Sequence, residues 1–326
     1  GSEMCIRDRS KINIVMYHYV RNIKESRYPN IKGLEYELFK EQIEWMSKNY
    51  QFVTIEDIIG CYETGESLPS NAMLLTFDDG YIDNFTYCLP ILKKYHIQGV
   101  FYIPGKTFTE KKLLDVNKIH FILACANQEE LYQDLITAII ENQDQYQLQS
   151  VEALYQKYAV KSRWDNEQTV FIKRMLQTAL PEELRNKISS ELFEKYVGIE
   201  ESKFAEELYM NKDQIKYMRD SGMYIGLHGY DHYWLANLSY EKMKEDINKA
   251  LIAMEGIVDK NNWILNYPYG SYNDEVISYI EQAGCKLSMT TEVGVADTEK
   301  NSRFLLPRLN TNDYPPKSTT YLSFQT

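Results

Sequence analysis

Two adjacent carboxylates at the end of an apolar run could hold a metal ion and handle a proton. Residues 72–77 have the length and composition of a fully buried strand, and Asp78 and Asp79 follow directly, before Gly80. Buried carboxylates are costly unless a cation or a catalytic role compensates them. Gly80 permits a turn that breaks the alternation of the strand, so both acids can face one cavity. We predict that Asp79 binds a metal and that Asp78 handles the proton; an ordinary Asp-Gly turn is the alternative.

A pair of histidines provides further metal ligands. His228 and His232 are four residues apart, a spacing that places both side chains on one face of a single helical turn. Two imidazoles and a carboxylate make a facial ligand set for Zn²⁺ or a similar ion. Two independent structural histidines are the alternative. The pair follows a short apolar strand at residues 224–227, as the two aspartates follow theirs, and this location favours the metal site.

A third segment that could take part in catalysis is Asn266 to Tyr272, NYPYGSY. Pro268 stiffens this loop, and Gly270 allows close approach of the backbone. A rigid turn can present the backbone N–H of Tyr269 to a developing oxyanion. A tight turn between a strand and a helix explains the same residues equally well.

The elements that must position these residues alternate between strand and helix patterns at residues 11–105 and 209–326. This alternation predicts a parallel sheet covered by helices. A closed barrel is favoured over an open sheet, because the candidate residues follow several different strands at their C-terminal ends. Residues 106–208 are helical in character and are predicted to form a large helical insertion. Residues 1–10 look like a cloning or sequence-assembly remnant and are predicted to lie outside the fold.

The three segments together resemble the motifs of the polysaccharide deacetylase family, the NodB-homology domain of carbohydrate esterase family 4. TFDDG at residues 76–80, the HxxxH pair, and PYG at residues 268–270 carry the resemblance, which covers residues 11–101 and 212–310. The resemblance implies an α/β fold, a distorted (β/α)7 TIM-like barrel, and removal of an N- or O-acyl group from a sugar. It also implies Asp78 as the general base and Tyr269 as the oxyanion donor. The metal triad that it implies is Asp79, His228 and His232.

The chain departs from the family pattern at three positions. The family usually has Ser or Thr where this chain has Gly229, and an Arg that orients the catalytic Asp where this chain has Asn266. Arg308, on the last predicted strand, is a candidate replacement for that Arg, and a surface arginine is the alternative. The family's C-terminal histidine, which protonates the leaving amine, has no counterpart, because no histidine follows His232.

The histidines upstream of the pair are therefore candidates for the general acid. His18 lies at the C-terminal end of the first predicted strand and is the better acid or substrate contact. His120 could be delivered by the helical insertion. His96 follows a helix on the other side of the barrel and is predicted to be structural.

These observations predict a metal-dependent deacetylase, with Zn²⁺ as the first choice of ion, acting on the N-acetyl group of an amino sugar in a polysaccharide or glycan precursor. The alternatives are an amidase or deformylase acting on a nucleotide- or lipid-linked sugar, and a catalytically silent barrel that binds glycan. A net charge of −11 without a basic stripe argues against a nucleic-acid partner. The sequence has no run of about 18 apolar residues, so no membrane span is predicted. Five cysteines without CxxC spacing favour reduced thiols and a cytoplasmic location.

Overall fold

The computed structural model describes residues 8–325, which divide into two compact units. The first unit holds residues 8–22, 33–110 and 206–325, and the second holds residues 23–32 and 111–205. The strands are β1 (Lys11–Tyr17), β2 (Val20–Arg21), β3 (Leu34–Glu35), β4 (Gln51–Phe52), β5 (Ala72–Asp78), β6 (Gly99–Ile103), β7 (Tyr224–Leu227), β8 (Trp263–Asn266), β9 (Cys285–Val293), β10 (Ala296–Asp297) and β11 (Leu306–Asn310).

Seven strands of the first unit close into a barrel. In the order β1, β11, β9, β8, β7, β6 and β5 each strand pairs in parallel with the next, and β5 pairs in parallel with β1. Two short strands extend the ring, β4 beside β5 and β10 antiparallel to β1. The closed ring of parallel strands confirms the predicted distorted (β/α)7 barrel.

Helices and helical turns connect the strands. The α-helices of the first unit are Tyr36–Asn49, Ile55–Thr64, Leu89–Lys94, Lys106–Thr109, Lys212–Asp220, Tyr240–Ala253 and Asp274–Gln282. A π-helical turn at Asn84–Cys88 precedes one of them, and 3-10 turns lie at Asp8–Ser10, Leu235–Asn237, Pro268–Gly270, Thr311–Asp313 and Thr320–Phe324. The helix Ile55–Thr64 begins with a capping box between Thr54 and Asp57, in which each side chain accepts a hydrogen bond from the other residue's backbone N–H.

Strand β5 is buried along its whole length, and its side chains alternate between two apolar clusters. Met73, Leu75 and Phe77 belong to a cluster that includes residues of the helix Tyr36–Asn49, whereas Leu74 packs among residues of the other strands. The alternation of side chains along a strand places Asp78 on the same face as Leu74, toward the interior of the barrel. An apolar strand therefore delivers a carboxylate to the C-terminal end of the barrel interior.

The second unit is helical. Its helices are Asp115–Cys125, Gln128–Tyr146, Val151–Tyr158, Glu167–Arg174 with a π-helical turn at Met175–Ala179, Glu182–Tyr196 and most of Glu201–Leu208. Aromatic rings of Phe121, Phe193 and Phe204 pack in its core, with centroids 4.7 and 5.4 Å from Phe204. The predicted insertion began at residue 106, whereas Lys106–Thr109 groups with the barrel and residues 23–32 group with the helices. Within residues 8–325 no helix is both long enough and apolar enough to span a bilayer.

Candidate metal centre

Three buried side chains converge at the C-terminal end of the barrel. The Oδ1 atom of Asp79 lies 3.3 Å from Nε2 of His228 and 3.3 Å from Nε2 of His232, and the two Nε2 atoms are 3.1 Å apart. One ligand atom from each residue therefore lies within 4.8 Å of the others. The structure brings together the predicted triad from the ends of β5 and β7.

The backbone at the end of β5 turns Asp79 away from Asp78. Asp79 has a φ of 78° and Gly80 a φ of 75°, and a Cβ at Gly80 would lie 2.9 Å from Cγ2 of Ile103. This turn breaks the strand alternation as the sequence predicted, so consecutive aspartates both reach the site. The hydroxyl of Tyr81 donates to Oδ2 of Asp79 at 2.7 Å, which leaves Oδ1 toward the histidines.

The two histidines lie on a loop and not on a helical turn, so the structural reason given for their spacing was wrong. Residues 228–234 have no helical structure, and Gly229 and His232 have φ values of 69° and 59°. A looped backbone with two left-handed residues brings the rings together, with centroids 4.7 Å apart.

Asp246, which the sequence reasoning missed, holds this loop. Its Oδ2 accepts a hydrogen bond from the backbone N–H of Tyr230 and its Oδ1 accepts one from that of Asp231, both at 3.0 Å. A Cβ at Gly229 would lie 2.9 Å from Oδ2 of Asp246, so the departure from Ser or Thr matches the presence of this carboxylate. A usable signal was present, because Asp246 interrupts the buried face of its helix beside Met243.

The donor set fits a divalent cation. Asp79 Oδ1 is buried and accepts no hydrogen bond from residues 8–325, as expected of an atom reserved for an ion. Nδ1 of His228 lies 2.6 Å from the carbonyl oxygen of Asn266, and donation to this acceptor leaves Nε2 with its lone pair. Burial raises the pKa of Asp79, but the two imidazoles lower it well below its usual value, so this ligand is ionised. Burial also lowers the pKa of His232, which favours the neutral imidazole that a metal needs.

Asp78 forms a bidentate ion pair with Arg308. Nη1 and Nη2 of Arg308 donate to Oδ1 and Oδ2 of Asp78 at 2.9 Å each, and both residues are buried. Burial raises the pKa of Asp78, but the Arg308 guanidinium and the imidazoles of His18 and His228 lower it by more, so this pKa lies below its usual value. Arg308 thus occupies the position proposed for it, and its Nη2 also lies 3.2 Å from Oδ1 of Asn266, the residue that replaces the family's arginine.

The remaining predicted residues lie at different distances from the centre. Nε2 of His18 is 3.7 Å from Oδ2 of Asp78 and 4.0 Å from Oδ2 of Asp79, with its side chain 37% exposed. The ring of Tyr269 stacks on Trp234 and lies 4.7 Å from the ring of His232.

The other two histidines lie elsewhere in the fold. His120 belongs to the second unit, where it lines a cavity. His96 is exposed before the N-terminal end of β6, away from the strand ends that carry the site. The catalytic roles assigned to His18, Tyr269 and Arg308 stay predictions.

Comparison with known proteins gives matches along most of the chain. The family model described as polysaccharide deacetylase matches residues 65–164 and 188–288. The solved Streptococcus pyogenes deacetylase PplD in complex with acetate aligns with a TM-score of 0.57 and 20% identity, covering 96% of each chain. Bacillus subtilis YxkH is 18% identical over 292 residues, which are 89% of this chain and 68% of that protein.

A further match is local. The poly-beta-1,6-N-acetyl-D-glucosamine N-deacetylase of Escherichia coli strain K12 is 40% identical over 62 residues, which are 19% of this chain and 9% of that protein.

Proposed function

The chain belongs to the polysaccharide deacetylase family, and on that premise we propose that it hydrolyses the N-acetyl group of an amino sugar with the help of a divalent cation. Asp79, His228 and His232 would hold the ion. The observation that carries the proposal is the buried triad beside the ion-paired Asp78, in which Oδ1 of Asp79 accepts no hydrogen bond from the described residues. Zn²⁺ is the first candidate because two imidazoles and one carboxylate leave coordination positions open.

Asp78 is the proposed general base. A divalent cation would supply Lewis-acid polarisation of the acyl carbonyl and would lower the pKa of water at the site. Asp78 is ionised near neutral pH, because its pKa lies below the usual value, and it can accept the proton that the attacking water loses. Arg308 fixes both carboxylate oxygens and so orients the base.

Two further groups complete the proposal. The backbone N–H of Tyr269 is proposed to stabilise the oxyanion, since the Pro268–Gly270 turn holds that residue at a φ of 57°. The leaving amine needs a proton, and His18 is the preferred donor because its Nε2 lies 3.7 Å from the proposed base. His120, the other candidate from the sequence, lines a cavity of the second unit and has no part in this proposal.

An N-acetylated glycan is the proposed substrate. Support comes from the family and from the local match to an N-acetylglucosamine N-deacetylase. An amidase or deformylase acting on a nucleotide- or lipid-linked sugar would use the same site residues. A silent glycan-binding barrel is disfavoured, because such a protein has no need for three converging metal ligands and an ion-paired acid.

Acetate release tests this proposal. Protein loaded with Zn²⁺ is incubated with N-acetylglucosamine oligomers, UDP-N-acetylglucosamine and an aryl acetate, and acetate is measured over time. We expect release from the oligomers and its loss in Asp78→Asn. Asp83→Asn is the matched control, because Asp83 is also buried and paired with an arginine, at 2.7 Å to both Nε and Nη2 of Arg21.

The outcomes separate the alternatives. The proposal is supported if the wild type releases acetate from the oligomers, Asp78→Asn does not, and a folded Asp83→Asn still does. Release from UDP-N-acetylglucosamine alone favours the small-substrate enzyme. Activity that survives removal of divalent ions, or that survives in Asp78→Asn, contradicts the mechanism. No release from any substrate by the Zn²⁺-loaded protein favours the silent barrel.

A further inference from the structure

The second unit contains a cavity of about 310 Å³ that the proposed function does not use. This volume lies at the lower end of the range for small-molecule sites. The residues that matter most to its chemistry are Asn30, His120, Gln128, Trp164, Asn166 and Lys173. All of them belong to the second unit, so the cavity is built without any residue of the metal centre.

Two ammonium groups share one carboxylate in this cavity. Nζ of Lys173 lies 2.5 Å from Oδ2 of Asp165, and Nζ of Lys32 contacts Oδ1 of the same carboxylate. A single aspartate thus holds two lysines in place, and each ammonium group keeps further N–H donors. The lining therefore offers oriented N–H donors, and the carboxylate of Asp165 offsets one of the two positive charges.

Amide side chains on the wall are also held in fixed orientations. Oδ1 of Asn166 accepts a hydrogen bond from the backbone N–H of Thr169 at 2.8 Å, as the N-cap of the helix Glu167–Arg174. The hydroxyl of Thr169 donates to Oε1 of Gln128 at 3.2 Å, and Nε2 of Gln128 contacts Oε1 of Gln168. Fixed amides reduce the entropy lost when a ligand hydroxyl or amide binds.

An indole stands at the edge of this polar wall. Trp164 is 52% exposed although it lines the cavity, and the guanidinium of Arg163 lies 4.3 Å from its ring centroid. A single exposed aromatic residue needs no explanation by itself. Here the indole borders a cavity whose other walls carry amide and ammonium donors. This combination suits a pyranose ring, which has an apolar C–H face and a rim of hydroxyl groups.

Part of the cavity wall lies outside the segments that the family model matches. The family model matches residues up to 164 and resumes at 188. Asp165, Asn166, Thr169 and Lys173 all lie in the unmatched segment. This part of the polar wall lies in the segment that the family model does not match, whereas Gln128 and Trp164 lie within a matched segment.

We propose that this cavity is a second, non-catalytic binding site for a neutral pyranose residue of a glycan, with Trp164 packing on the sugar face and Asn166 and Gln128 facing its polar groups. The choice of an N-acetylated sugar as the ligand rests on the proposed function. The site itself is argued from the cavity, the indole and the oriented amides.

The indole of Trp164 gives a local readout. In a ¹⁵N-tryptophan-labelled full-length chain, the indole signal that disappears in Trp164→Phe belongs to Trp164. An N-acetylglucosamine tetramer is added to the Asp78→Asn chain, in which the sugar is not consumed. We expect a saturable shift of this signal, with an affinity about tenfold weaker in Asn166→Ala and unchanged in Asp79→Asn.

Matched variants decide the interpretation. Tyr217→Ala removes an aromatic ring of similar exposure, 51%, from the first unit and should leave the affinity unchanged. The absence of any shift at saturating tetramer overturns the proposal. A shift that persists in Asn166→Ala and vanishes in Asp79→Asn also overturns it. The proposal fails as well if inorganic phosphate shifts the Trp164 signal with higher affinity than the tetramer does. The binding test does not measure acetate release, so it can be interpreted even if the proposed enzyme activity is not found. The activity test can likewise be interpreted if no binding is found at Trp164.

Discussion

Replacing Arg308 by Met should destabilise the protein strongly because it leaves a buried carboxylate without its cation. Arg308 is 3% exposed and uses all five of its N–H donors. Two go to Asp78, and the others go to the carbonyl oxygen of Thr290, the hydroxyl of Thr76 and the side-chain oxygen of Asn266, at 3.0 to 3.2 Å. Removing one partner of such a pair costs about 3–5 kcal/mol.

The matched control is Arg303→Met. Arg303 lies five residues earlier and pairs with Glu63 at 3.3 Å, but these side chains are 26% and 38% exposed. Pairs at the surface contribute about 0–1 kcal/mol. The double variant Asp78→Asn/Arg308→Met also removes the unpaired buried carboxylate, so it should be less destabilised than Arg308→Met alone.

The pH dependence has a definite sign. In the wild type the pKa of Asp78 lies below its usual value, so its stabilisation is present above about pH 4 and is lost as the pH falls. Without Arg308, burial raises that pKa, and protonation then relieves the penalty as the pH falls. The difference in unfolding free energy between wild type and Arg308→Met should therefore shrink from pH 7 toward pH 4.

Urea unfolding followed by circular dichroism measures both effects. We expect a loss of several kcal/mol for Arg308→Met at pH 7, a small loss for Arg303→Met, and convergence with the wild type on acidification. Equal losses for the two arginine variants would refute the reasoning. A difference that is independent of pH would refute the assignment of the penalty to Asp78.

Three further predictions concern residues around the metal ligands. Burial raises the pKa of Asp246 to about 6, so its ionisation lowers the unfolding free energy by about 3 kcal/mol as the pH rises from about 4 through 6. Urea unfolding of Asp246→Asn should no longer show this pH dependence. A pH dependence retained in that variant would exclude Asp246 as its source. Gly229→Ala, with a φ of 69° and a Cβ contact at 2.9 Å, should lower the unfolding free energy and weaken divalent-ion binding measured by calorimetry. The control Gly65→Ala has the same φ without that contact, and it should lose only about 1–2 kcal/mol of unfolding free energy. Equal costs and unchanged ion binding would contradict this. Tyr81→Phe should weaken Zn²⁺ binding about 10- to 100-fold, because it removes the hydrogen bond to the ligand Asp79. The control Tyr102→Phe removes a buried hydroxyl that bonds to no other described residue, and it should leave the affinity unchanged. Equal Zn²⁺ affinities in the two variants would exclude a role of Tyr81 in supporting the ligand.

Local sequence patterns identified the barrel strands well. The run that ends at Asp78 and the strand Tyr224–Leu227 were both predicted, because apolar patterns depend on neighbours in the chain. The type and order of the candidate ligands also followed from the sequence. The closed ring confirmed that they share one end of the barrel.

What the sequence could not give depends on contacts between distant segments. Arg308 reaches Asp78 because β11 and β5 both pair with β1, a topology that no local pattern contains. The left-handed backbone at His232 and the anchoring by Asp246 likewise depend on packing between a loop and a helix. The grouping of residues 23–32 with the helical unit had no sequence signal. The identity of the metal and the cytoplasmic location stay predictions.

The metal content of the purified chain tests the central claim most directly. After equilibration with Zn²⁺ and removal of free ion, elemental analysis should find one ion per chain. The same analysis of His228→Gln and of Asp79→Asn should find essentially none, while the exposed control His96→Gln should keep the ion. Wild-type protein without bound ion, or ligand variants that retain it, would contradict the account.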